Sequence, residues 1–389
     1  MKILSVFGTR PEAVKMAPIV RLLKHTGGIE SRVCVTAQHR QMLDQVLNLF
    51  EIQPDYDLNL MRDDQTLAEL SASIFTSLDP VLTEFQPDWV LAQGDTTTVA
   101  ITALLCYYRR IRFGHVEAGL RTHDKWQPYP EEINRRVAGV AADLHFAPTE
   151  WSRGNLLREN VPDKAIVVTG NPVIDALNFV KQQQVPEEIK RLLENLGISE
   201  EKREASNSPV LSGDEGSLVT RHLVLVTAHR RENFGEPLEN ICLALKELAE
   251  CGNVEIVYPV HLNPNVQKPV NRILGGVDHV TLLPPLDYLP LVHLMKRSKI
   301  ILTDSGGIQE EAPAFGVPVL VLREVTERPE GVAAGTLKLV GTETSRIVQE
   351  AKRLLEDEAA YAEMARASNP YGDGYAAGRI IQALQNFSA

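Results

Sequence analysis

Short apolar runs alternate with amphipathic stretches through the first half of the chain. The runs are rich in β-branched residues, and they are KILSVFG, RVCVTA, WVLAQG, IRFGHVEAG, DLHFAPT and AIVVTG. Segments such as EAVKMAPIVRLLKHT and RQMLDQVLNLF lie between them, and their apolar residues recur at every third or fourth position. This alternation predicts a parallel β-sheet with helices on both faces.

The same rhythm returns in the second half of the chain, from about residue 222. Its apolar runs are HLVLVTA, VEIVYPV, VTLLP, KIILTDSGG, VPVLVLR and LKLVG. The two halves together predict an α/β protein made of two Rossmann-like, doubly wound domains. We place the N-terminal domain at residues 1–171 with 367–389, and the second domain at residues 172–366.

Two segments depart from this rhythm. Residues 200–219 are rich in Ser, Gly, Asp and Glu and can bury little apolar surface, so we expect a flexible loop there. The C-terminal segment has a Pro/Gly turn and then an amphipathic helix with Ile380, Ile381 and Leu384 on one side. A last helix of this kind often packs on the first domain, and we therefore assign residues 367–389 to that domain.

Length and charge narrow the classes of function. The chain has 389 residues, enough for two cores, and its net charge of -11 disfavours nucleic acid or an anionic membrane as the main partner. Its apolar runs are too short to span a bilayer, and MKILSVFGTRPEAVK at the N-terminus lacks a signal-peptide core. We therefore expect a cytoplasmic protein.

Metal and common cofactor motifs are missing from the sequence. The cysteines Cys34, Cys106, Cys242 and Cys251 are scattered, with no C-x-x-C pair and no histidine at metal-ligand spacing. We expect core cysteines in a reducing compartment and no metal site. The sequence has neither G-x-x-x-x-G-K-[ST] nor a G-x-G-x-x-G after the first strand, which disfavours ATP hydrolysis and NAD-dependent redox chemistry.

Polar residues follow the ends of the apolar runs. In the first half they are Thr9-Arg10-Pro11-Glu12, Asp95 and Glu117, and in the second half they are His229 and Ser305-Gly306-Gly307. Ligands of open parallel sheets bind beyond the carboxyl ends of the strands, near the point where strand order reverses. These residues are therefore candidates for a binding site.

Some of these residues suit an anion. Ser305-Gly306-Gly307 precedes a predicted helix, whose first backbone N–H groups form a ready anion site, although a simple tight turn is the alternative. Arg10, Lys15, His229 and Arg328 could each be surface charge, but together at strand ends they suit a diphosphate. The more specific interpretation is thus that these residues bind a phosphate group of a nucleotide.

Acidic residues lie in the same predicted region, namely Asp95, Glu117, Glu131 and Glu132. Acids beside an anion site are unfavourable unless they transfer protons, with pKa values set by burial and by neighbouring cations. Two alternatives stay open. Asp95 would also serve as a helix N-cap, and one of Glu131 and Glu132 only complements the dipole of a helix that begins near Pro130.

Ten ordered motifs run from the first strand to the last helix. They are FGTRPEAVKMAP, TAQHRQMLDQVL, QGDTTT, HVEAGLRTHDKWQPYPEEINRR, TGNPVIDAL, TAHRREN, PVHLNPNV, LTDSGGIQEEAPAFGVPVLVLRE, TERPE and NPYGDG. Together they resemble the motifs of the non-hydrolysing UDP-N-acetylglucosamine 2-epimerases, with a weak match only around residues 181–221. The resemblance implies a fold of the glycosyltransferase-B type, with two Rossmann-like domains and the active site in the cleft between them.

The resemblance also implies an activity and its residues. The reaction is reversible inversion at C2, which interconverts UDP-GlcNAc and UDP-ManNAc without an added cofactor. The implied catalytic groups are Asp95, Glu117 and Glu131, with His229 close by. The implied substrate contacts are Arg10, Lys15, Asp95, Glu117, His229, Leu286, Leu291, Ser305, Gly306, Gly307, Glu311 and Arg328.

Further properties follow from the resemblance alone. It implies a homodimer that supplies precursors for cell-envelope polysaccharide. In some bacterial relatives a second UDP-GlcNAc molecule binds beside the active site and activates the enzyme. Gln38, Gln41 and His261 match that motif here, whereas Asp64 stands where a basic residue is expected.

The chemistry of C2 suggests how such residues act. The C2 hydrogen is not next to a carbonyl, so a leaving group must depart as its proton is removed. Loss of UDP from C1 gives 2-acetamidoglucal, and return of UDP with protonation of the opposite face gives the epimer. Carboxylates and diphosphate-binding cations both have tasks in this scheme. The alternatives are a hydrolysing 2-epimerase that releases ManNAc and UDP, a glycosyltransferase of the same fold, and a UDP-sugar sensor.

Overall fold

The computed structural model describes residues 1–36, 40–60, 62, 64–198 and 221–388, and its contacts divide the chain into two compact units. Unit 1 comprises Met1–Val180 and Pro370–Ala389, and unit 2 comprises Lys181–Asn369. The loop that the sequence predicts at residues 200–219 lies outside the described residues.

The elements are numbered in chain order. The strands are β1 (Lys2–Phe7), β2 (Glu30–Val35), β3 (Tyr56–Asp57), β4 (Trp89–Gln93), β5 (Arg112–Val116), β6 (Leu144–Ala147), β7 (Ile166–Val168), β8 (His222–Thr227), β9 (Val254–Pro259), β10 (Val280–Leu283), β11 (Ile300–Thr303), β12 (Val319–Val321) and β13 (Leu337–Leu339). The helices are α1 (Arg10–Lys24), α2 (Arg40–Leu49), α3 (Leu67–Phe85), α4 (Thr97–Arg109), α5 (Glu131–Ala141), α6 (Glu150–Arg158), α7 (Pro172–Val180), α8 (Glu187–Asn195), α9 (Glu236–Glu250), α10 (Pro264–Leu274), α11 (Tyr288–Arg297), α12 (Gly306–Glu311), α13 (Pro329–Ala333), α14 (Thr344–Glu356), α15 (Glu358–Ala365) and α16 (Ala376–Ser388). Short 3-10 helices lie at Asp163–Ala165, Arg231–Asn233 and Ala312–Phe315.

Unit 1 is built on a sheet of seven parallel strands in the order β3-β2-β1-β4-β5-β6-β7. The strands that the apolar runs predict are confirmed, and β3 is an addition that is too short to show periodicity in the sequence. Strand order reverses between β1 and β4. The loops after these two strands therefore flank the place where ligands bind in sheets of this kind.

Unit 2 repeats this design with a sheet of six parallel strands in the order β10-β9-β8-β11-β12-β13. Each of its strands coincides with an apolar run of the sequence, so the prediction is confirmed here as well. Strand order reverses between β8 and β11. The loop after β8 begins at Ala228 and the loop after β11 begins at Asp304, which brings the polar residues of these loops to the reversal point.

Apolar residues predominate in the strands on both faces, as expected where helices cover both sides of a parallel sheet. In β1, for example, Ile3, Leu4, Val6 and Phe7 have no exposed surface. The C-terminal helix α16 contacts α1 and α7 of unit 1 and buries Ile380 and Leu384 there. Among the described residues, no helix is both long enough and apolar enough to cross a membrane.

Candidate active site

Glu117 lies in a buried cluster of polar side chains in unit 1. It follows β5 directly, and only 6% of its surface is exposed. Its Oε1 accepts hydrogen bonds from Lys15 Nζ and from Asn171 Nδ2, the latter at 2.9 Å. Its Oε2 accepts a hydrogen bond from Gln93 Nε2. An ammonium group and two amides thus hold this carboxylate in one orientation.

The backbone at Glu117 adopts an uncommon conformation. Its φ is 63°, in the left-handed region that residues other than glycine seldom adopt and that is enriched at functional sites. Gly119 follows with a φ of 91°, and a Cβ at that position would lie 2.3 Å from the carbonyl oxygen of Ser152. Only glycine fits this approach, so the sequence Glu-Ala-Gly encodes the turn that carries the acid at the end of β5.

Asp95 lies at the end of the neighbouring strand β4, one residue beyond Gly94. Its Oδ2 accepts hydrogen bonds from Nε and Nη2 of Arg135, at 2.9 and 2.7 Å. Its carbonyl oxygen accepts a hydrogen bond from Asn134 Nδ2 at 2.9 Å. The N-cap of α4 is Thr96, whose hydroxyl accepts a hydrogen bond from the Val99 N–H. The alternative in which Asp95 caps the helix is therefore wrong.

Glu132 is the structural member of the two glutamates that begin α5. It is fully buried, and its carboxylate accepts hydrogen bonds from the backbone N–H groups of Thr122 and His123, at 3.1 and 3.3 Å. It also pairs with Arg135 and Arg136, at 3.3 and 3.4 Å. The carboxylate therefore anchors the loop that leads into α5, which goes beyond the complement to the helix dipole that the sequence predicts for one of the two glutamates.

Glu131 is half-buried and is the first residue of α5. Asn134 and Arg135, three and four positions further on, are the residues that bind Asp95. Side chains at these spacings share one face of a helix. Glu131 therefore belongs to the face of α5 that lies against the end of β4, so Asp95, Glu117 and Glu131 all belong to the carboxyl edge of one sheet.

Glu12 joins the two loops at the reversal point of unit 1. Its Oε2 accepts hydrogen bonds from the backbone N–H groups of Gly8 (2.9 Å) and Thr9 (2.7 Å), and its Oε1 accepts one from the Thr96 hydroxyl (2.6 Å). Burial raises the pKa of this carboxyl group above its usual range. Arg10 begins α1 in the same loop and is half-buried.

Two buried histidines lie within the sheet, on the strands β5 and β6. His115 and His145 are paired in register on β5 and β6, and both are buried. The His115 Nε2 donates to the carbonyl oxygen of Gly94 at 2.7 Å, next to Asp95. Burial lowers the pKa of His115 to about 4 and the pKa of His145 to about 3. Both rings are therefore neutral at physiological pH.

Asp304 organises the corresponding edge of unit 2. It follows β11 and has no exposed surface. Its Oδ2 accepts hydrogen bonds from the backbone N–H groups of His229 and Arg230, both at 2.8 Å, and from Asn233 Nδ2 at 3.0 Å. The loop after β8 is thereby fixed to the loop after β11.

The start of α12 lies beside two guanidinium groups. A Cβ on Gly306 would lie 3.7 Å from Nη2 of Arg328 and 3.8 Å from Nη2 of Arg230. Ser305 occupies the N-cap position, but its hydroxyl makes no capping bond, and its backbone N–H donates to the Thr303 hydroxyl at 2.9 Å. The glycine leaves room for a ligand atom next to two cations, which is an environment suited to an anion.

Arg328 is itself firmly held. Only 7% of its surface is exposed, and its Nε donates to Oε1 of the buried Glu310. Its backbone N–H donates to the Thr326 hydroxyl at 3.1 Å. Glu311 lies near the same helix start, because a Cβ on Gly307 would be 3.4 Å from Glu311 Oε1. The guanidinium group is therefore positioned before any ligand arrives.

The remaining residues that the sequence predicts are those of the uracil contact and of the activator site, together with His229. The rings of His229 and His261 are stacked, with 5.2 Å between their centres and 10° between their planes. This contact joins a residue of the predicted active site to one of the predicted activator site. Leu286 precedes α11, Leu291 lies within it, and both are half-buried. Gln38 is outside the described residues, and the side chain of Gln41 is not described either.

Several residues of these clusters were not selected from the sequence as site residues. They are Gln93, Arg135, Asn171, Arg230 and Asp304. Gln93, Arg230 and Asp304 lie at strand ends, which is the signal that identified their neighbours. Asn171 lies three residues after β7, the same offset as Arg230 after β8, so it carries this signal too, whereas Arg135 lies within α5 and shows none.

The two sets of residues are suited to different chemistry. The edge of unit 1 carries buried carboxylates beside cations, which is a setting for proton transfer. The edge of unit 2 carries guanidinium groups beside a glycine at a helix start, which is a setting for phosphate. Among the described residues, no group of His, Cys, Asp and Glu is arranged to hold a metal ion.

Comparison with known proteins finds relatives that match nearly the whole chain. The family model for UDP-N-acetylglucosamine 2-epimerase matches residues 21–385. The chain is 56% identical to the UDP-N-acetylglucosamine 2-epimerase of Salmonella typhimurium, a match that covers 100% of this chain and 99% of that protein. It is also 56% identical to the enzyme of the same name from Escherichia coli strain K12, over 99% of both chains.

Solved structures give the same result. The UDP-GlcNAc 2-epimerase from Neisseria meningitidis, bound to UDP-GlcNAc, has a TM-score of 0.89 and 48% identity, covering 99% of this chain and 100% of that one. The Methanocaldococcus jannaschii enzyme, in complex with UDP-GlcNAc and UDP, has a TM-score of 0.79 and 31% identity over 99% of this chain and 100% of that one.

Two Rossmann-like domains and these structural matches define an enzyme with a glycosyltransferase-B-like fold, which confirms the predicted fold class. The chain belongs to the UDP-N-acetylglucosamine 2-epimerase family, as its motifs indicate.

Proposed function

We propose that the protein interconverts UDP-GlcNAc and UDP-ManNAc by inverting C2 of the sugar without releasing free sugar. The observation that carries this proposal is the buried Glu117 carboxylate, which is bonded to Lys15 at the same sheet edge as Asp95. Relatives with more than half of their residues identical to this chain are named UDP-N-acetylglucosamine 2-epimerase, which supports the same substrate.

The proposed mechanism is elimination followed by addition. A carboxylate takes the C2 proton, the C2–H electron pair forms the C1–C2 double bond, and the C1–O bond breaks with its electrons passing to UDP. UDP then returns to C1 while a proton reaches the opposite face of C2. Asp95, Glu117 and Glu131 are the proposed proton carriers, because transfer on two faces needs more than one acid.

Other residues are proposed to bind UDP and to stabilise its charge as it leaves. Arg328 and the start of α12 at Ser305–Gly307 are suited to the diphosphate, because a guanidinium group in place before binding stabilises charge without reorganisation. Apolar contact with uracil is proposed for Leu291. The full proposed set of UDP contacts is Arg10, Lys15, Asp95, Glu117, His229, Leu286, Leu291, Ser305, Gly306, Gly307, Glu311 and Arg328. His229 is also proposed to assist catalysis.

The test is NMR of the purified protein with UDP-GlcNAc in D2O and no other addition. We expect UDP-ManNAc to appear, with deuterium at C2 of both nucleotide sugars, because C2 loses and regains its proton in every cycle. The Glu117→Gln variant, prepared in the same way, is the control for contaminating epimerase. Absence of deuterium at C2 in the product would rule out proton exchange.

The same spectra discriminate the alternatives. Free ManNAc and UDP as main products indicate a hydrolysing 2-epimerase. An unchanged spectrum favours a glycosyltransferase that lacks its acceptor, or a UDP-sugar sensor. The carboxylates of Asp95, Glu117 and Glu131 at the edge of unit 1 favour the epimerase, since a transferase does not need several carboxylates to exchange a proton at C2.

We also propose that the protein is a homodimer. Tyr107 and Tyr108 at the end of α4 are 70% and 66% exposed, and Tyr108 stacks on Phe75 of α3 at 6.3 Å. Val140 on α5 is 91% exposed. Such aromatic and apolar side chains suit a second copy of the chain. Light scattering of the wild type and of Tyr108→Asp measures this directly, and we expect the variant to be monomeric.

A cytoplasmic location and a role in supplying cell-envelope polysaccharide precursors are further proposals. The four cysteines are free, and Cys34, Cys106 and Cys242 are buried, which is typical of proteins from reducing compartments. The net charge of -11 disfavours nucleic acid as a partner. Fractionation of the native host followed by activity measurement tests the location.

Activation by a second UDP-GlcNAc molecule stays a prediction. It assigns Gln38, Gln41 and His261 to an activator site. Because the His261 ring stacks on the His229 ring, a ligand bound at His261 would be able to shift the position of His229. Rates measured from UDP-ManNAc alone and with added UDP-GlcNAc would reveal activation as a lag that UDP-GlcNAc removes. His261→Ala should remove the response to added UDP-GlcNAc, because the activator would no longer bind.

A further inference from the structure

Asn171 links Glu117 to a distant part of the chain. Its side chain is fully buried, and its Nδ2 donates to Glu117 Oε1 at 2.9 Å. It lies three residues after the end of β7, at the entrance to α7. Lys15 supplies a positive charge to the same oxygen, so the amide adds a second donor to it.

The orientation of the Asn171 amide is fixed by its other contacts. Its Oδ1 accepts a hydrogen bond from the backbone N–H of Val173 at 3.1 Å. Because a backbone N–H can only donate, the oxygen must face Val173 and the NH2 group must face Glu117. A rotated amide would place two oxygen atoms against each other. The contact with Glu117 is therefore specific in direction.

The backbone of Asn171 is anchored by the C-terminal segment. Its N–H donates to the carbonyl oxygen of Tyr371 at 2.7 Å, and Tyr371 is almost fully buried. A Cβ on Gly170 would lie 3.3 Å from Gly372 Cα, and a Cβ on Gly372 would lie 3.2 Å from Gly170 Cα. The two backbones therefore run in contact, and a pair of glycines allows it.

This anchor lies next to the place where the chain returns to unit 1. The chain leaves unit 1 after Val180 and returns to it at Pro370, so Tyr371 is the second residue after the return. Asn171 connects the returning chain to Glu117. Its backbone N–H is bonded to Tyr371, and its side chain is bonded to Glu117. Such a short path through buried groups transmits small displacements.

We propose that Asn171 is a positioning residue for the Glu117 carboxylate and that Tyr371 and Gly372 hold it in place. This inference rests on the proposed function, because it assumes that Glu117 acts on C2. Asn171 sets where the carboxylate lies and favours its charged form, while it does not touch the sugar. Without this third donor the carboxylate is held less firmly by Lys15 and Gln93 alone and meets the C2 hydrogen less often, so turnover falls while substrate binding is kept.

The first test is the kinetics of Asn171→Ala. We expect kcat to fall about 100-fold while KM changes less than about 3-fold, as for a lost positioning contact. Gly372→Ala should act in the same direction, because its added methyl group pushes Tyr371 and Asn171 apart without removing either. If Asn171→Ala does not fold, the kinetics of Gly372→Ala still test the proposal.

A matched control separates positioning from loss of stability. Asp175→Ala removes the carboxylate that accepts hydrogen bonds from the Ala376 and Ala377 N–H groups at the start of α16. It weakens the same junction without touching Glu117 or Asn171. We expect a lower melting temperature and an unchanged kcat. An equal loss of kcat in Asp175→Ala and Asn171→Ala would overturn the positioning role.

A second measurement does not depend on activity. The titration of the Glu117 carboxyl carbon is followed by NMR with 13C-labelled glutamate and is assigned from the Glu117→Gln spectrum. Removal of an amide donor disfavours the charged form, so the midpoint should move to higher pH in Asn171→Ala, and further in Asn171→Asp, where a second negative charge is added. Asp175→Ala should leave it unchanged.

The combined outcomes are distinct. A shifted titration with a lower kcat supports the proposal, whereas an unchanged titration or an unchanged kcat in the Asn171 variants overturns it. If the wild type does not epimerise UDP-GlcNAc, the proposed function fails, and the catalytic part of this inference fails with it. In that case a shifted titration still establishes that Asn171 controls the charge of Glu117.

Discussion

The ammonium group of Lys15 donates to Oε1 of Glu117, and the two residues are only 9% and 6% exposed. Lys15 belongs to α1, which follows β1, and Glu117 follows β5, while β4 lies between these two strands in the sheet. The pair thus spans the reversal point of unit 1. Burial of such a pair contributes little net stability. Its place at the reversal point is therefore better explained by chemistry than by folding.

Replacement of Glu117 by glutamine should abolish most of the activity and keep the fold. Glutamine has the same shape but cannot take a proton, so we expect kcat to fall about 1,000-fold, within the range for lost acid–base catalysis. The measurement is UDP-ManNAc formation by NMR, with thermal unfolding followed by circular dichroism. Glu194→Gln, at an exposed position in α8, is the control. A Glu117→Gln variant with nearly normal turnover would remove this residue from the mechanism.

The adjacent glutamates of α5 should respond in opposite ways to the same substitution. Glu131→Gln should lose turnover about 100-fold and keep its melting temperature. Glu132→Gln should be less stable by about 2 to 4 kcal/mol, because it removes a buried negative charge that pairs with Arg135 and Arg136. Urea unfolding measured beside kcat separates the two effects. Equal losses of stability in both variants would contradict the division of roles.

The sequence predicted the sheets more completely than the site. Periodicity reports which residues are buried on a strand or helix, so it located every strand except β3, which has two residues. Position at a strand end then predicted that Asp95 and Glu117 lie at one edge of the sheet, because the carboxyl ends of parallel strands meet there. Both inferences depend only on residues that are neighbours in the sequence.

Contacts between distant segments could not be predicted in this way. Asn171 reaches Glu117 across 54 positions and Arg135 reaches Asp95 across 40. Neither polar residue is distinguishable in the sequence from one at a helix start or on a helix surface. The choice between Glu131 and Glu132 was open for the same reason, since the loop that Glu132 anchors is defined only after the chain has folded.

Gly306→Ala should weaken UDP binding without unfolding unit 2. The added methyl group would lie 3.7 Å from Arg328 and 3.8 Å from Arg230, which is ordinary contact, so the fold accepts it. It would occupy the space beside two guanidinium groups where we place a phosphate. We expect the Kd for UDP to rise about 10-fold, a loss of about 1.4 kcal/mol.

The control for this variant is Gly378→Ala in α16, where a Cβ meets no neighbour within 4 Å. It makes the same change of residue in the other unit, at a position outside the residues proposed to bind UDP. Isothermal titration calorimetry with UDP measures both variants, and we expect the control to bind as the wild type does. Unaltered UDP affinity in Gly306→Ala would place the diphosphate elsewhere.

Stability should fall in mild acid because of the buried histidines. Burial lowers the pKa of His115 to about 4 and that of His145 to about 3, whereas an exposed histidine has a pKa of about 6.5. Below about pH 6.5 the unfolded chain therefore binds protons that the folded chain does not, and folded stability decreases as pH falls. The stability that the two neutral histidines contribute is complete above about pH 6.5 and is lost progressively toward pH 4.

The expected slope is about 1.4 kcal/mol of unfolding free energy per pH unit for each histidine. Buried carboxyl groups with raised pKa values, such as Glu12 and Asp175, act in the opposite direction, so the comparison must be made between variants. Urea unfolding between pH 7 and pH 5 should show a shallower pH dependence in His145→Gln than in the wild type, since one titrating ring is gone. His25→Gln, at an exposed position, is the control. The same pH dependence in His145→Gln and in the wild type would show that His145 takes up a proton without unfolding.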